Sequence, residues 1–258
     1  MLHELAGLTA AQIAQLSPEE LAEIAEMVER ARSPRSIFDF FPGTGPMRRE
    51  LYPKFMEFFA AGARHQERAL IAANRCGKSI CAGFELTLHA TGRYPAWWIG
   101  RRFDRPIVAW ACGEDVKTAR DSIQKILIGP PEARGTGLIP PADLERTTAR
   151  GGIPDAVDTI FVKHQRGGLS TITLKSYDSG REAFQAARID VAWLDEEPPS
   201  SVYTEILTRT LSTTPGEPSG IVTCTFTPLL GISAVVLQFL PGGALPATED
   251  DRRKAWGW

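Results

Sequence analysis

The chain has 258 residues, of which 43% are hydrophobic and 23% charged, a usage that excludes disordered, collagen-like and coiled-coil classes. The formal net charge is -2, so no overall basic field draws nucleic acid to the surface. The balance is uneven: residues 1–33 hold six acids and two arginines, which leaves 27 basic against 25 acidic residues in the remainder.

Ser17-Pro18-Glu19-Glu20 reads as a capping box with proline at the first helical position. Leu21, Ile24, Ala25 and Val28 follow at helical spacing, with Glu19, Glu23, Glu26 and Arg30 opposite. This is a solvated arm packed on the main domain or, in the sharper reading, a docking arm for a partner protein. Residues 33–46 are rich in proline and glycine and form a linker. A helix is expected over about 48–61, with Leu51, Phe55, Phe58 and Phe59 on its apolar side.

From Arg68 the pattern alternates between strands and helices. Residues 69–73 are a short apolar strand, and Gly77 to about His89 a helix. Residues 107–112 form a second strand, followed by a helix from about 115 to 128. A stretch over 129–158, with five prolines and five glycines, is expected to be loop-rich. Strands follow at 171–174, 189–194 and 221–226. Such alternation predicts an α/β domain built on a mainly parallel central sheet flanked by helices. The expected division is an N-terminal helical arm and linker over 1–46, one domain over 47–241 and a tail over 242–258.

Cys76, Cys81, Cys112 and Cys224 show no CxxC spacing, so neither a zinc site nor a disulfide framework is expected. The sequence lacks a run of about 18 apolar residues, so no membrane span is expected. It also has no secretory signal pattern.

The segment Ala72-Ala73-Asn74-Arg75-Cys76-Gly77-Lys78-Ser79 lies between an apolar strand and a helix, the setting of a phosphate-binding P-loop. Backbone N–H groups at a helix start favour phosphate oxygens. Gly77 permits close backbone approach, Lys78 reaches the β- and γ-phosphates, and Ser79 offers its hydroxyl to Mg2+. Ala72 replaces the first glycine of the G-x-x-x-x-G-K-[ST] pattern. The second motif is Val191-Ala192-Trp193-Leu194-Asp195-Glu196, an apolar strand ending in two carboxylates. Ligands bind at the carboxyl ends of parallel strands, so both motifs are expected on one edge. Asp195 then serves Mg2+ and Glu196 polarises the attacking water. ATP and Mg2+ are the cofactors this pairing calls for.

With these motifs in place, the sequence resembles the ATPase half of phage large terminase subunits. The likeness lies in A-A-N-R-C-G-K-S (72–79), T-G-R-Y-P-A-W-W-I-G-R-R-F (91–103), S-Y-D-S-G-R-E-A-F-Q (176–185), V-A-W-L-D-E-E-P-P (191–199) and T-F-T-P-L-L-G (225–231). It spans about residues 40–240 in the family's order. The resemblance implies a P-loop NTPase fold of the ASCE type and ATP-driven movement of double-stranded DNA into a procapsid. The implied partners are double-stranded DNA, the portal protein, the small terminase subunit and identical copies in a ring, five in number. An isolated subunit would be monomeric, and the implied location is the cytoplasm of an infected bacterium, with docking on the procapsid.

Carried over to this sequence, Lys78 and Ser79 match the Walker A lysine and hydroxyl, and Asp195 and Glu196 the Walker B acids. Thr225 and Thr227 fall in the coupling motif. Arg75 either touches the γ-phosphate in cis or pairs with acids beside the loop. Arg101, Arg102 and Arg105 are candidates for an arginine donated to a neighbouring subunit, or else solvated loop residues and DNA-phosphate contacts. Arg209 is read as a structural ion pair. Tyr52, Pro53 and Phe55 either form an adenine slot or face the core, and Trp97 and Trp98 are expected to be buried. Only 27 residues follow Gly231, too few for the nuclease domain that large terminases usually carry, so no nuclease activity is expected in this chain. Two other functions fit the motifs less well: a helicase-like ATPase unrelated to capsids, and a nucleotide-binding module with little turnover.

Overall fold

The computed structural model describes residues 37–240 except 186, 217 and 230, together with positions 15–18, 20, 21, 24, 243 and 248. The Ser17–Glu20 capping box is present: Ser17 N donates to Glu20 Oε2 at 2.8 Å, and Glu20 N to Ser17 Oγ at 3.2 Å. Most of the expected arm and the tail acids Glu249, Asp250 and Asp251 lie outside the described residues.

Seven strands form one sheet: β1 (Glu67–Ile71), β2 (Val108–Gly113), β3 (Leu144–Ala149), β4 (Val157–Lys163), β5 (Leu169–Ser176), β6 (Val191–Asp195) and β7 (Ile221–Phe226). Their spatial order is β1-β7-β6-β2-β5-β4-β3. The first five are mutually parallel, β4 pairs antiparallel with β5, and β3 pairs antiparallel with β4. β3 and the start of β4 fall within the stretch expected to be loop-rich, which is the main departure from the sequence reading. Their residues are Leu-Glu-Arg-Thr-Thr-Ala at the sheet margin, half-solvated and therefore without an apolar run to announce them.

The helices are α1 (Pro53–Ala61), α2 (Lys78–Thr91), α3 (Val116–Ala119), α4 (Lys125–Ile128), α5 (Ser200–Thr210) and α6 (Ala234–Gln238). A single π-helical turn, Arg120–Gln124, joins α3 to α4. Proline opens α1, the Asp115 carboxylate caps α3 through Thr118 N at 2.8 Å, and Ser233 caps α6.

Strand alternation sends Ala111 and Trp193 to one face of the sheet and Trp110, Cys112, Ala192 and Leu194 to the other. The first face is covered by α2 and the α3–α4 segment, through Ala82, Leu86, Ile123 and Leu127. The second is covered by α5 and α6, through Val202, Tyr203, Ile206 and Val235. At Gly83 a Cβ would lie 2.6 Å from Ile126, so α2 meets α4 more closely than any side chain permits.

A third, aromatic cluster joins α1 to α2 through Phe41, Phe58, Phe59, Phe84 and Trp98. The expected apolar side of α1 holds for Phe58 and Phe59, but Leu51 is 50% exposed, because it sits on a separate 3-10 turn (Arg49–Leu51) ahead of the helix. Trp98 is buried, as expected, and Trp97 stacks parallel to Phe84.

A buried charge network ties β1 to α2. Arg68 donates to Glu85 Oε1 at 2.9 Å, to Phe58 O at 2.7 Å and to Thr223 Oγ1 at 3.3 Å. Desolvation works to raise the Glu85 carboxyl, but Arg68 and His89 outweigh it and hold it below its ordinary value. Burial pulls His89 below its ordinary value, with Glu85 opposing.

Candidate nucleotide site

β7 lies between β1, which leads into the phosphate loop, and β6, which ends in the two acids. Three loops therefore converge at the carboxyl ends of adjacent parallel strands. The loop after β1 passes through Arg75 at φ +63° and Gly77 at φ +90° before α2 begins. Two left-handed residues in one short loop turn successive N–H groups toward a common point, the geometry of an anion nest. Gly77 is required by its backbone angle rather than by space, since a Cβ there would be in ordinary contact with the Phe55 ring at 3.5 Å.

Lys78 begins α2 and is buried. Its Nζ donates to Ala72 O at 3.0 Å, Ala73 O at 2.8 Å and Thr227 Oγ1 at 2.9 Å. Thr227 Oγ1 is also 2.8 Å from Ala72 O and 2.7 Å from Asn74 Oδ1. The lysine, the loop carbonyls and the residue after β7 thus form one polar cluster.

Asp195 is the centre of a second cluster. Ser79 Oγ donates to its Oδ1 at 2.7 Å, and Thr225 Oγ1 donates to the same oxygen at 2.8 Å. Trp193 Nε1 donates to Thr225 Oγ1 at 2.8 Å and fixes that hydroxyl's orientation. Ser122, on the π-helical turn, reaches Oδ2 at 3.4 Å. Burial pushes the Asp195 carboxyl above its ordinary value against the pull of these hydroxyls. Glu196 is raised as well, first by burial and then by the adjacent Asp195 charge, with Lys78 opposing. Glu196 is also left-handed, at φ +61°.

The donor set suits Mg2+. A serine hydroxyl and a carboxylate are hard oxygen ligands, and a site with few protein ligands leaves the remaining positions to water and phosphate. Among the described residues no group of three or more His, Cys, Asp or Glu could hold a metal by itself.

Arg75 is exposed and makes no ion pair among the described residues, so the expected alternative pairing with nearby acids is not formed. Cys76 is also exposed. Tyr52 and Phe55 stack with ring centroids 5.7 Å apart and both pack on the buried Phe41. They are half-buried, and Phe55 reaches Gly77, which joins the core-facing and loop-facing readings in one pair.

Arg101, Arg102 and Arg105 lie between the end of α2 and the start of β2, at the opposite end of the sheet from the phosphate loop. Arg101 stands over Phe103, and Arg102 stands over Tyr94 and donates to Trp98 O at 3.0 Å. Arg105 makes a bidentate pair with Asp190 at 3.0 and 2.8 Å. Arg209 pairs with Glu205, as expected, and Arg181 joins the same carboxylate at 2.8 Å.

Sequence reading missed Ser122, whose approach depends on a π-helical turn, and Tyr177, whose hydroxyl reaches the end of β6 at Asp195 O, 3.1 Å away. It also missed a cavity of about 550 Å3 beside the site, lined by Phe40, Ile80, Ser122, Lys125 and Leu138. Tyr52 and Phe55 do not line it. Beyond Thr227 the chain exposes Leu229 (73%) and Ile232 (50%).

Residues 69–252 match the family model for the N-terminal part of the T4-like terminase large subunit. The chain belongs to this family. The terminase large subunit of Salmonella phage P22 is 36% identical over 87% of the chain and 47% of the P22 protein, so the chain spans about half the length of that relative. Among solved structures, the HK97 bacteriophage large terminase is similar over 78% of this chain and 37% of its own, at 14% identity and a TM-score of 0.48. The Thermus phage P74-26 large terminase ATPase domain is similar over 80% of this chain and 79% of its own, at 14% identity and a TM-score of 0.46. The ASCE-type P-loop arrangement of this terminase chain rests on its own strand order, with β7 inserted between the phosphate-loop strand and the acidic strand. No helix among the described residues is long and apolar enough to cross a membrane.

Proposed function

We propose that the chain is the ATP-hydrolysing motor of a DNA-packaging terminase. The observation that carries this reading is the convergence of Ser79 and Thr225 on Asp195, with Glu196 beside it and Lys78 across from it. The nest at Arg75–Gly77 binds the β-phosphate through backbone N–H groups. Lys78 exchanges the carbonyls of Ala72 and Ala73 for β- and γ-phosphate oxygens. Ser79 and Asp195 hold Mg2+, which when bound neutralises charge on the phosphate oxygens. Glu196 orients the attacking water and accepts its proton, a role favoured by a carboxyl raised above its ordinary value. Arg75, exposed on the loop, contacts the γ-phosphate in cis. Tyr52 and Phe55 offer a stacked apolar wall to adenine.

Thr227 loses its lysine partner when Lys78 turns to the phosphates, which supports a coupling role for it and for Thr225. One of Arg101, Arg102 and Arg105 is the candidate to serve an adjacent subunit of a ring; Arg105 would have to leave Asp190 and Arg102 the Trp98 carbonyl to do so. The proposed cargo is double-stranded DNA held through phosphate contacts, and the proposed partners are the portal and the small terminase subunit. The division into arm, motor domain and tail is part of the same reading, as is the bacterial cytoplasm as location.

The test is Glu196→Gln, which retains ATP binding and abolishes phosphate release. Turnover that survives this change removes Glu196 from the mechanism. DNA binding is expected to weaken steeply as salt is raised from 50 to about 200 mM, and salt-independent binding argues against phosphate contacts.

A further inference from the structure

The Glu196 backbone occupies a conformation that a non-glycine residue adopts only when its surroundings impose it. Its φ of +61° is left-handed, a state that costs about 1–2 kcal/mol for an L-residue. Side chains alternate along a strand, so simple continuation of β6 would place residue 196 opposite Asp195. The left-handed turn takes the carboxylate out of that alternation and leaves it close enough to Lys78 and Asp195 for both charges to act on it.

The turn is held from two sides. On the β7 side, Glu196 N donates to Thr225 O at 2.9 Å. On the β2 side stands the hydroxyl of Tyr177. This residue opens the 3-10 turn Tyr177–Ser179 that directly follows β5, and its side chain reaches past the end of β2 to the end of β6. Its Oη is 3.1 Å from Asp195 O, 3.3 Å from Glu196 O and 3.3 Å from Cys112 O. One proton is shared among three strand-end carbonyls, two of which flank the left-handed residue. The ring is buried among Cys112, Phe184 and Leu194, so packing alone needs only a phenyl group. The hydroxyl is spent on the Glu196 turn.

We propose that Tyr177 is a positioning residue for hydrolysis: its hydroxyl holds the peptide after Asp195 in the left-handed turn and so sets the direction of the Glu196 carboxylate. This rests on the reading of Glu196 as the residue that orients water. The Tyr177 hydroxyl bonds only backbone carbonyls among the described residues, so it acts through the Glu196 peptide. Its loss therefore affects turnover and spares nucleotide affinity, because Lys78, Ser79 and the phosphate loop are held by other contacts.

The experiment is Tyr177→Phe, measured for ATP affinity by equilibrium titration and for phosphate release at saturating ATP with DNA present. The expected result is a ten- to hundred-fold fall in kcat, the scale of a misplacement of about 1 Å, with affinity changed less than about two-fold on the same scale. Unchanged kcat overturns the proposal, and so does an equal loss in affinity and turnover. Glu196→Gln is measured alongside. If that variant keeps its turnover, the underlying reading of Glu196 fails. If it is inactive while Tyr177→Phe is fully active, only the role of Tyr177 fails. Should Tyr177→Phe not fold, 3-fluorotyrosine at position 177 keeps the ring and hydroxyl, adds one small atom and makes the phenol a stronger donor. A change in kcat at constant affinity then supports the proposal, and no change overturns it.

Discussion

Ser79 Oγ lies 2.7 Å from Asp195 Oδ1, which joins the first turn of α2 to the end of β6 across 116 positions of sequence. The bond needs no bridging group and is supported by Thr225, which donates to the same oxygen. The two motifs are therefore joined by the chain's own side chains. Ser79→Ala is expected to leave the fold intact and to reduce turnover at least 10²-fold, the scale of losing one pre-organised electrostatic contact. Phosphate release measured across a Mg2+ titration checks this, and an unaltered Mg2+ dependence contradicts it.

Burial penalises the ionised form of Asp195, which lowers stability where that form prevails. Its carboxyl is raised in the folded state, so the native protein binds the proton more tightly than the unfolded chain does. Stability then falls as pH rises from the unfolded value near 4 through the raised native value. Asp195→Asn removes this penalty. The variant is expected to be inactive yet more stable at pH 8, with a smaller gain at pH 5. Thermal melts at the two pH values decide it, and a gain that grows toward acid reverses the sign.

Lys78 shares its ammonium with Thr227 at 2.9 Å. Thr227→Val removes the hydroxyl and keeps the shape. With one fewer competitor for the lysine, ATP is expected to bind as tightly as before or more tightly, by about ten-fold at the lower end of the roughly 1.5–3 kcal/mol that a hydrogen bond to a charged group is worth. DNA-dependent stimulation of turnover is expected to be lost. Titration and turnover assays separate these effects, and weaker ATP binding counts against the competition.

Arg68 and Glu85 form a buried pair at 2.9 Å, with side chains 4% and 2% exposed. Arg68→Met leaves the buried carboxylate with only His89 beside it, 3.4 Å away, and should cost about 3–5 kcal/mol. The double change Arg68→Met with Glu85→Leu should recover most of that loss. Urea denaturation of the two variants is the check, and a double variant no more stable than the single one rules out an uncompensated charge as the cause.

Of the four cysteines only Cys76 is exposed, and it stands next to Gly77 in the phosphate loop. Brief alkylation of the folded protein should label one thiol and block ATP binding, and prior addition of ATP with Mg2+ should protect it. Mass spectrometry of the labelled peptide reads the outcome. Labelling that ATP does not slow places the nucleotide elsewhere.

The central strands were legible in the sequence because each is buried on both faces and is made largely of apolar and β-branched residues. Ile221–Phe226 falls where expected to the residue, and Val191–Asp195 within two. The phosphate loop and the acidic strand end were legible because their chemistry restricts residue type. β3 was not, since a half-solvated margin strand of Glu, Arg and Thr carries no such restriction. Ser122 and Tyr177 were not legible for another reason. A π-helical turn and the reach of one side chain past a neighbouring strand leave no periodic trace.

The exposed Leu229 and Ile232 stand two and five residues beyond Thr227, at the end of a strand fixed rigidly between its neighbours. Thr227, between that exposed pair and the strand, is the residue whose hydroxyl accepts from Lys78 Nζ at 2.9 Å. Whatever covers Leu229 and Ile232 therefore sits within five residues of a direct hydrogen-bond partner of the phosphate-loop lysine.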